Sequence, residues 1–298
     1  MVHETIAPGS ILHGRYEIGA AIGTGGFGIT YRAWDIYQSM PVAVKEYYPK
    51  GTARRTENSI EIRTCEAGEI RDYEEGIERF LEEGRNLMIF NETVNIVHVY
   101  DFFEENNTAY IIMELLEGSS LSEYVINAGG KISQDDAIRI LFTMIDCLHE
   151  IHRIGMIHRD ISPDNIFMCS DKTVKLIDFG AARKPLSGNG ISVLLKPEYA
   201  PPEQFDTNGS QGPWTDIYAL GATMYRIMTG KMPQEAVGRM MKDHLKPPTE
   251  MDPHIHPAVS RAIMKCMETD PAYRYQNVND IRIDIIRGFA DAGNDYKI

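Results

Sequence analysis

His158-Arg159-Asp160-Ile161-Ser162-Pro163-Asp164-Asn165 is the stretch on which the reading of this 298-residue chain turns. Before it, Ile138, Leu141, Phe142, Ile145, Leu148 and Ile151 recur at helical spacing, so the stretch leaves an amphipathic helix. After it come two short strand-like runs, Ile166–Cys169 and Val174–Ile177, separated by the turn residues Ser170 and Asp171. Asp178-Phe179-Gly180 follows at once. Each segment is short enough to arise by accident, and the rest of the chain decides whether the group has meaning.

Toward the N-terminus, Gly23-Thr24-Gly25-Gly26-Phe27-Gly28 follows a strand-like run, Tyr16–Ile22. A glycine-rich phosphate loop belongs there, because glycine lets backbone N–H groups approach phosphate oxygens with no Cβ in the way. The pattern alone is unspecific, and a second strand-like run, Thr30–Trp34, follows where a dinucleotide-binding fold would place a helix. Lys45 closes Val42-Ala43-Val44-Lys45 on a third run, Val42–Tyr47. A strand lysine is ordinarily a solvated edge residue; it gains meaning only if a carboxylate holds its ammonium in place. Glu83 is the candidate and Glu82 its competitor, on a helix whose apolar stripe is Ile77, Phe80, Leu81, Gly84, Leu87 and Met88. Val97–Phe103 and Ala109–Leu115 complete the strand-rich part. Beyond Gly118 helices dominate, and Asp216–Met228 is apolar nearly all round, as a helix buried in the middle of a domain would be. A small β-rich part followed by a larger α-rich part is an α+β pattern with two lobes, meeting near Leu116–Gly118.

With these pieces in order, the chain resembles a protein kinase catalytic domain. Lys45-Glu46-Tyr47-Tyr48-Pro49 and Pro202-Glu203-Gln204 are worded like the bacterial, eukaryotic-like (Hanks-type) serine/threonine kinases. Ala200-Pro201-Pro202-Glu203 matches the family's Ala-Pro-Glu element with an extra proline, Asp216 stands where the family has a structural Asp, and Arg274 matches the arginine that pairs with the glutamate, here Glu203. The likeness runs from Arg15 to Arg287. It implies a bilobal fold: an extension at 1–14, a β-rich N-lobe with one regulatory helix at 15–116, a helical C-lobe at 117–290 and a tail at 291–298.

The implied activity is transfer of the γ-phosphoryl group of ATP to Ser or Thr hydroxyls of proteins, the chain itself included, a reaction that depends on positioning and charge neutralisation. By the resemblance, Asp160 accepts or orients the substrate hydroxyl proton, and Asn165 and Asp178 hold Mg²⁺, with Mn²⁺ as an alternative. Lys45, fixed by Glu83, contacts the α- and β-phosphates. Ile22, Gly23, Gly25, Gly28 and Thr30 join the nucleotide set. Met113 becomes the gatekeeper behind the adenine, backbone groups of Glu114 and Leu116 bond its edge, and Ala43 and Phe167 sandwich it. For the apolar members, core packing is the plain reading, and both can hold at Met113 and Phe167.

Three departures stand out. Ser162 occupies the catalytic-loop position that is usually Lys, and Lys196, seven before Glu203, occupies one that is usually Thr. These positions neighbour each other in the family, which suggests an exchange: Lys196 supplies the missing ammonium from the opposite side and Ser162 the orienting hydroxyl. The third departure is the separation of Lys45 and Glu83 by 38 residues. The extra stretch, 49–72, with a strand at Ile60–Arg63, reads as a solvated surface hairpin, a regulatory-partner site being the other reading. A pseudokinase that binds nucleotide or acts as a scaffold is the alternative that Ser162 motivates, and a small-molecule phosphotransferase is a third. Arg159 suggests activation by a loop phosphate, with Ser187 and Ser192 as acceptors.

Composition narrows the partners. With 30 Lys and Arg against 43 Asp and Glu the net charge is −13, which argues against nucleic-acid binding. Cys65, Cys147, Cys169 and Cys266 are scattered, so the expectation is reduced thiols in the cytoplasm without a disulfide framework or zinc site. The pair His149 and His152, one turn apart, reads as polar positions on a helix. No run approaches the roughly 18 apolar residues of a membrane span, and residues 1–15 lack a signal-peptide pattern, so no membrane contact is expected within this chain and proteins are the expected substrates.

Overall fold

Strand formation in the N-terminal part follows period-two alternation. In Gly28–Asp35, Ile29, Tyr31, Ala33 and Asp35 turn inward, while Arg32 and Trp34 face water. The computed structural model describes residues 4–55, 59–64, 70–179, 196–206 and 209–293. They fall into two compact units, Met1–Glu117 and Gly118–Ile298.

The first unit contains β1 (Ile11–Leu12), β2 (Tyr16–Thr24), β3 (Gly28–Asp35), β4 (Met40–Tyr47), β5 (Ala53–Arg55), β6 (Ile62–Thr64), α1 (Ile70–Met88), β7 (Val99–Glu105) and β8 (Thr108–Glu114). Six strands form one antiparallel sheet in the order β1-β2-β3-β4-β8-β7. β4 and β8 are inner strands with residues of both faces in the core, so Val42, Ala43, Val44, Ile111 and Ile112 are all buried. The β7–β8 turn is Asn106-Asn107, both left-handed at φ 56° and 59°, as the two-residue turns that match strand twist require. Residues 1–14 are more than an extension, because Ile6 and Leu12 are core residues and β1 joins the sheet.

Three expectations need correction here. The strand expected at Val97–Phe103 is β7 and begins at Val99, because the Asn91 side chain binds both the N–H (3.0 Å) and C=O (2.8 Å) of Val99 and holds the preceding residues as a loop. The stripe of α1 holds at Phe80, Leu81, Gly84 and Leu87 but extends further toward the N-terminus, with Tyr73 and Gly76 buried, while Ile77 is half-buried and Met88 is exposed. The described part of the 49–72 stretch is not the solvated surface hairpin expected. β5 pairs with β6, and Ala53, Arg55 and Ile62 are buried. Deleting residues 52–68 is therefore expected to cost about 3–5 kcal/mol, since it removes one partner of a buried ion pair along with apolar core. Urea unfolding checks this, and an unchanged midpoint would restore the surface-hairpin reading.

The second unit holds β9 (Gly118–Ser120), α2 (Leu121–Asn127), α3 (Gln134–Arg153), β10 (Ile166–Cys169), β11 (Val174–Leu176), α4 (Pro213–Thr229), α5 (Ala236–Met241), α6 (Pro248–Met251), α7 (Pro257–Cys266) and α8 (Asn279–Asp291). Ser120 and Ser133 cap α2 and α3, each hydroxyl accepting the N–H three residues on, at 3.2 and 3.1 Å. Buried on nearly every side, α4 packs against α3, α6 and α7 and ends at Gly230, left-handed at φ 73°. β9, β10 and β11 form a small sheet in the order β11-β10-β9 beside the loop that carries Asp160. Among the described residues no helix is long and apolar enough to cross a membrane.

Candidate active site

In the first unit β4 and α1 bring Lys45 and Glu83 together, with Nζ donating to Oε1 at 2.7 Å. Register settles which glutamate serves: Glu83 shares the buried face of α1 with Phe80 and Leu87, whereas Glu82 points to solvent. The ammonium also lies 5.7 Å from the centroid of the Phe80 ring. Across the sheet Thr30 is the partner of Lys45, Gly23 of Thr30, and Ala43 of Met113, the last two both buried. At the glycine-rich turn, Gly25 N–H donates to Gly28 O at 2.8 Å. Gly28 must be glycine, since a Cβ there would stand 2.6 Å from Glu46 O. Ile22 is exposed, and Glu114 and Leu116 are half-buried. The N–H of Glu114 is used by His98 O at 2.9 Å, and its carboxylate accepts the N–H of His98 at 2.8 Å.

In the second unit, Asp216 in the first turn of α4 organises the loop. Fully buried, it accepts the N–H groups of His158 (2.8 Å) and Arg159 (2.7 Å) and contacts His152 Nε2 at 2.8 Å. Burial works against this carboxylate, but His152, His158 and the backbone donors outweigh it, so its pKa lies below the usual range. The two backbone bonds hold Arg159 in the left-handed region at φ 70°, a strained conformation of order 1–3 kcal/mol. Gln204 adds a bond from Nε2 to Arg159 O at 2.9 Å. His158 is buried with its ring edge-on to Phe179 at 4.8 Å, and burial holds it below the ordinary His pKa. His152 is thus part of the loop's support rather than only a polar helix position, while His149 Nδ1 meets Asn279 Nδ2 at 3.0 Å.

Held this way, the loop presents Asp160, Ser162 and Asn165, and Lys196 joins them to make one cluster of four expected residues. Asn165 Nδ2 donates to the carbonyl oxygen of Asp160 at 2.7 Å and to its Oδ2 at 2.8 Å. Lys196 Nζ donates to Ser162 Oγ at 2.7 Å and lies 3.5 Å from Asp160 Oδ1 and 3.5 Å from Asp164 Oδ2. Burial raises the Asp160 carboxyl above its ordinary pKa, and the Lys196 ammonium is the largest influence opposing it. Asp178 is half-buried beside the core residue Phe179, and Phe167 is half-buried on β10 opposite Ser120. Below the loop, Glu203 and Arg274 form a buried fork, with Nη1–Oε1 at 2.6 Å and Nη2–Oε2 at 3.0 Å. The remaining N–H groups of Arg274 meet the carbonyls of Glu268, Thr269 and Trp214. Gly180, Ser187 and Ser192 lie outside the described residues.

Residues 16–281 match the protein kinase domain family. The chain belongs to that family. This kinase domain is 33% identical to the serine/threonine-protein kinase PrkC of Bacillus subtilis, over 97% of its own length and 43% of PrkC. It is 31% identical to the serine/threonine-protein kinase PknA of Mycobacterium tuberculosis, over 90% of its own length and 60% of PknA. It therefore spans less than two thirds of these relatives. A solved structure, "PpkA-294 apo form", superposes with a TM-score of 0.85 at 31% identity, covering 95% of this chain and all of that one. The chain thus has the β-rich and helical lobes of the protein kinase fold. Sequence reasoning missed Asp164, Gln204 and the support from His152, all polar residues whose roles depend on contacts with remote parts of the chain.

Proposed function

We propose that this domain transfers the γ-phosphoryl group of ATP to Ser or Thr hydroxyls of proteins, with Asp160 accepting or orienting the hydroxyl proton and Lys196 stabilising the charge that develops on the phosphoryl group. The observation that carries the proposal is the single cluster of Asp160, Asn165, Ser162 and Lys196 around one small space. An ammonium 2.7 Å from Ser162 Oγ occupies the neighbourhood a lysine at position 162 would serve, which favours the enzyme over the pseudokinase. Lys45, held by Glu83, would take the α- and β-phosphates.

The oxygen donors fit a hard divalent cation. Asn165 spends its amide nitrogen on Asp160, so its amide oxygen is its acceptor, and Asp178 adds a half-buried carboxylate. Mg²⁺ held there, or Mn²⁺ in its place, would supply neutralisation of the phosphate charge. The setting we propose is cytoplasmic, where the thiols of Cys147, Cys169 and Cys266 stay reduced.

Lys45→Met and Asp178→Asn are each expected to lower phosphoryl transfer at least about 100-fold while the circular dichroism spectrum stays that of the folded protein. Near wild-type transfer by either folded variant would refute the site assignment.

A further inference from the structure

A buried ion pair of the first unit has no part in the phosphate-binding set. Glu46 follows Lys45 on β4 and points to the opposite face, where it is fully buried. Its carboxylate accepts from the Arg55 guanidinium of β5, from the Tyr31 hydroxyl at 2.8 Å and from the Tyr110 hydroxyl at 3.3 Å. Arg55 Nε also donates to Ile60 O at 3.1 Å, closing its own hairpin. Taking two charges out of water is costly, and apolar residues of similar size stabilise a core as well or better. The pair is therefore better explained by a need for defined geometry than by stability.

Contacts run from this hairpin to both halves of the Lys45–Glu83 pair. Arg55 grips β4 at the residue between Lys45 and Tyr47. Ile62 of β6 donates its N–H to Asn106 O at 3.0 Å and accepts from Asn107 Nδ2 at 3.3 Å. The carbonyl of Asn107 accepts the hydroxyl of Tyr73, on α1, at 2.9 Å. Tyr73 and Glu83 share the buried face of α1, separated by about 15 Å of helix. Between them Gly76 rests on the Tyr47 ring so closely that a Cβ would come within 2.6 Å of Tyr47 Cζ. At the stem of the same segment, the N–H groups of Tyr48 and Lys50 hold Phe27 O and Gly26 O, each at 2.9 Å, so it also carries the glycine-rich turn.

We propose that the paired strands β5 and β6 are an internal brace that sets α1 against β4, and that Arg55 is a positioning residue for the Lys45–Glu83 pair. This rests on the phosphate role given to that pair above.

The test is the affinity for ATP with Mg²⁺, measured by fluorescence titration on the full chain for Arg55→Met and Tyr73→Phe, each alone and combined with Glu83→Gln. Kd is expected to rise about tenfold for Arg55→Met and about threefold for Tyr73→Phe, and by less than about twofold in either when Glu83→Gln is already present, because residues acting through one pair are non-additive. A merely structural role would add the same loss in both backgrounds. If Arg55→Met does not fold, the pair Glu46→Gln with Arg55→Met removes the stranded charge, and Tyr73→Phe, which loses one hydroxyl, carries the same comparison. Unchanged affinity in the folded variants, or equal losses with and without Glu83, overturns the brace. Lys45→Met distinguishes the two readings: wild-type affinity and turnover there would overturn the phosphate role itself, whereas their loss, with Arg55→Met unaffected, overturns the brace alone.

Discussion

Lys196→Met is expected to lower kcat by about 100- to 1,000-fold with little change in the KM for ATP. The ammonium lies 2.7 Å from Ser162 Oγ and 3.5 Å from Asp160 Oδ1; in the proposed reaction charge would develop there only as the phosphoryl group moves, so its loss should fall on the transition state and not on nucleotide binding. The pH profile supplies an independent readout. Burial already raises the Asp160 carboxyl and Lys196 opposes that rise. Without Lys196 the pKa climbs further, the carboxylate protonates earlier as pH falls, and the acid limb of kcat moves to higher pH. Combining Ser162→Lys with Lys196→Thr should recover part of the lost rate, because the two side chains are in contact. Normal turnover by Lys196→Met, or an unmoved acid limb, would show that the lysine only borders the site.

The second large effect concerns stability. Arg274→Met leaves the Glu203 carboxylate buried with the Thr215 hydroxyl, at 3.0 Å, as its remaining side-chain partner among the described residues. Removing one member of a buried pair costs about 3–5 kcal/mol. The urea midpoint should fall accordingly, and Glu203→Gln added to Arg274→Met should recover part of the loss by removing the stranded charge. Arg274 also ties Glu268, Thr269 and Trp214 together through their carbonyls, so the recovery should be incomplete. A midpoint unchanged in Arg274→Met would mean that the fork carries no stability.

Much of this architecture could be read from the chain because its signals are local. A short run rich in β-branched and aromatic residues marked β3, the all-round apolar run marked α4, and a helical stripe through Phe80, Gly84 and Leu87 marked α1, with the choice between Glu83 and Glu82 left to the fold. The limits appear where burial depends on partners far away in sequence. Arg55 looks like a surface residue until Glu46, Tyr31 and Tyr110 surround it, so the insertion reads as a solvated hairpin from sequence and is a core element in the fold. Ile77 and Met88 keep helical spacing yet lie toward the edge of the buried face, which Tyr73 and Gly76 extend instead, because the β7–β8 turn and the Tyr47 ring meet α1 at its N-terminal half. Ser162 and Lys196 were legible as a pair of departures, but only folding brings their atoms to 2.7 Å.

Phosphoryl transfer by the purified chain tests the central claim most directly. The chain is incubated with γ-labelled ATP and Mg²⁺ alongside Asp160→Asn, and the labelled residues are mapped by mass spectrometry. Label is expected on Ser or Thr side chains, of the chain itself or of an added protein substrate, with the wild type, and its loss is expected with Asp160→Asn. Label carried equally by Asp160→Asn, or no transfer by folded wild-type protein to any protein hydroxyl, would contradict it.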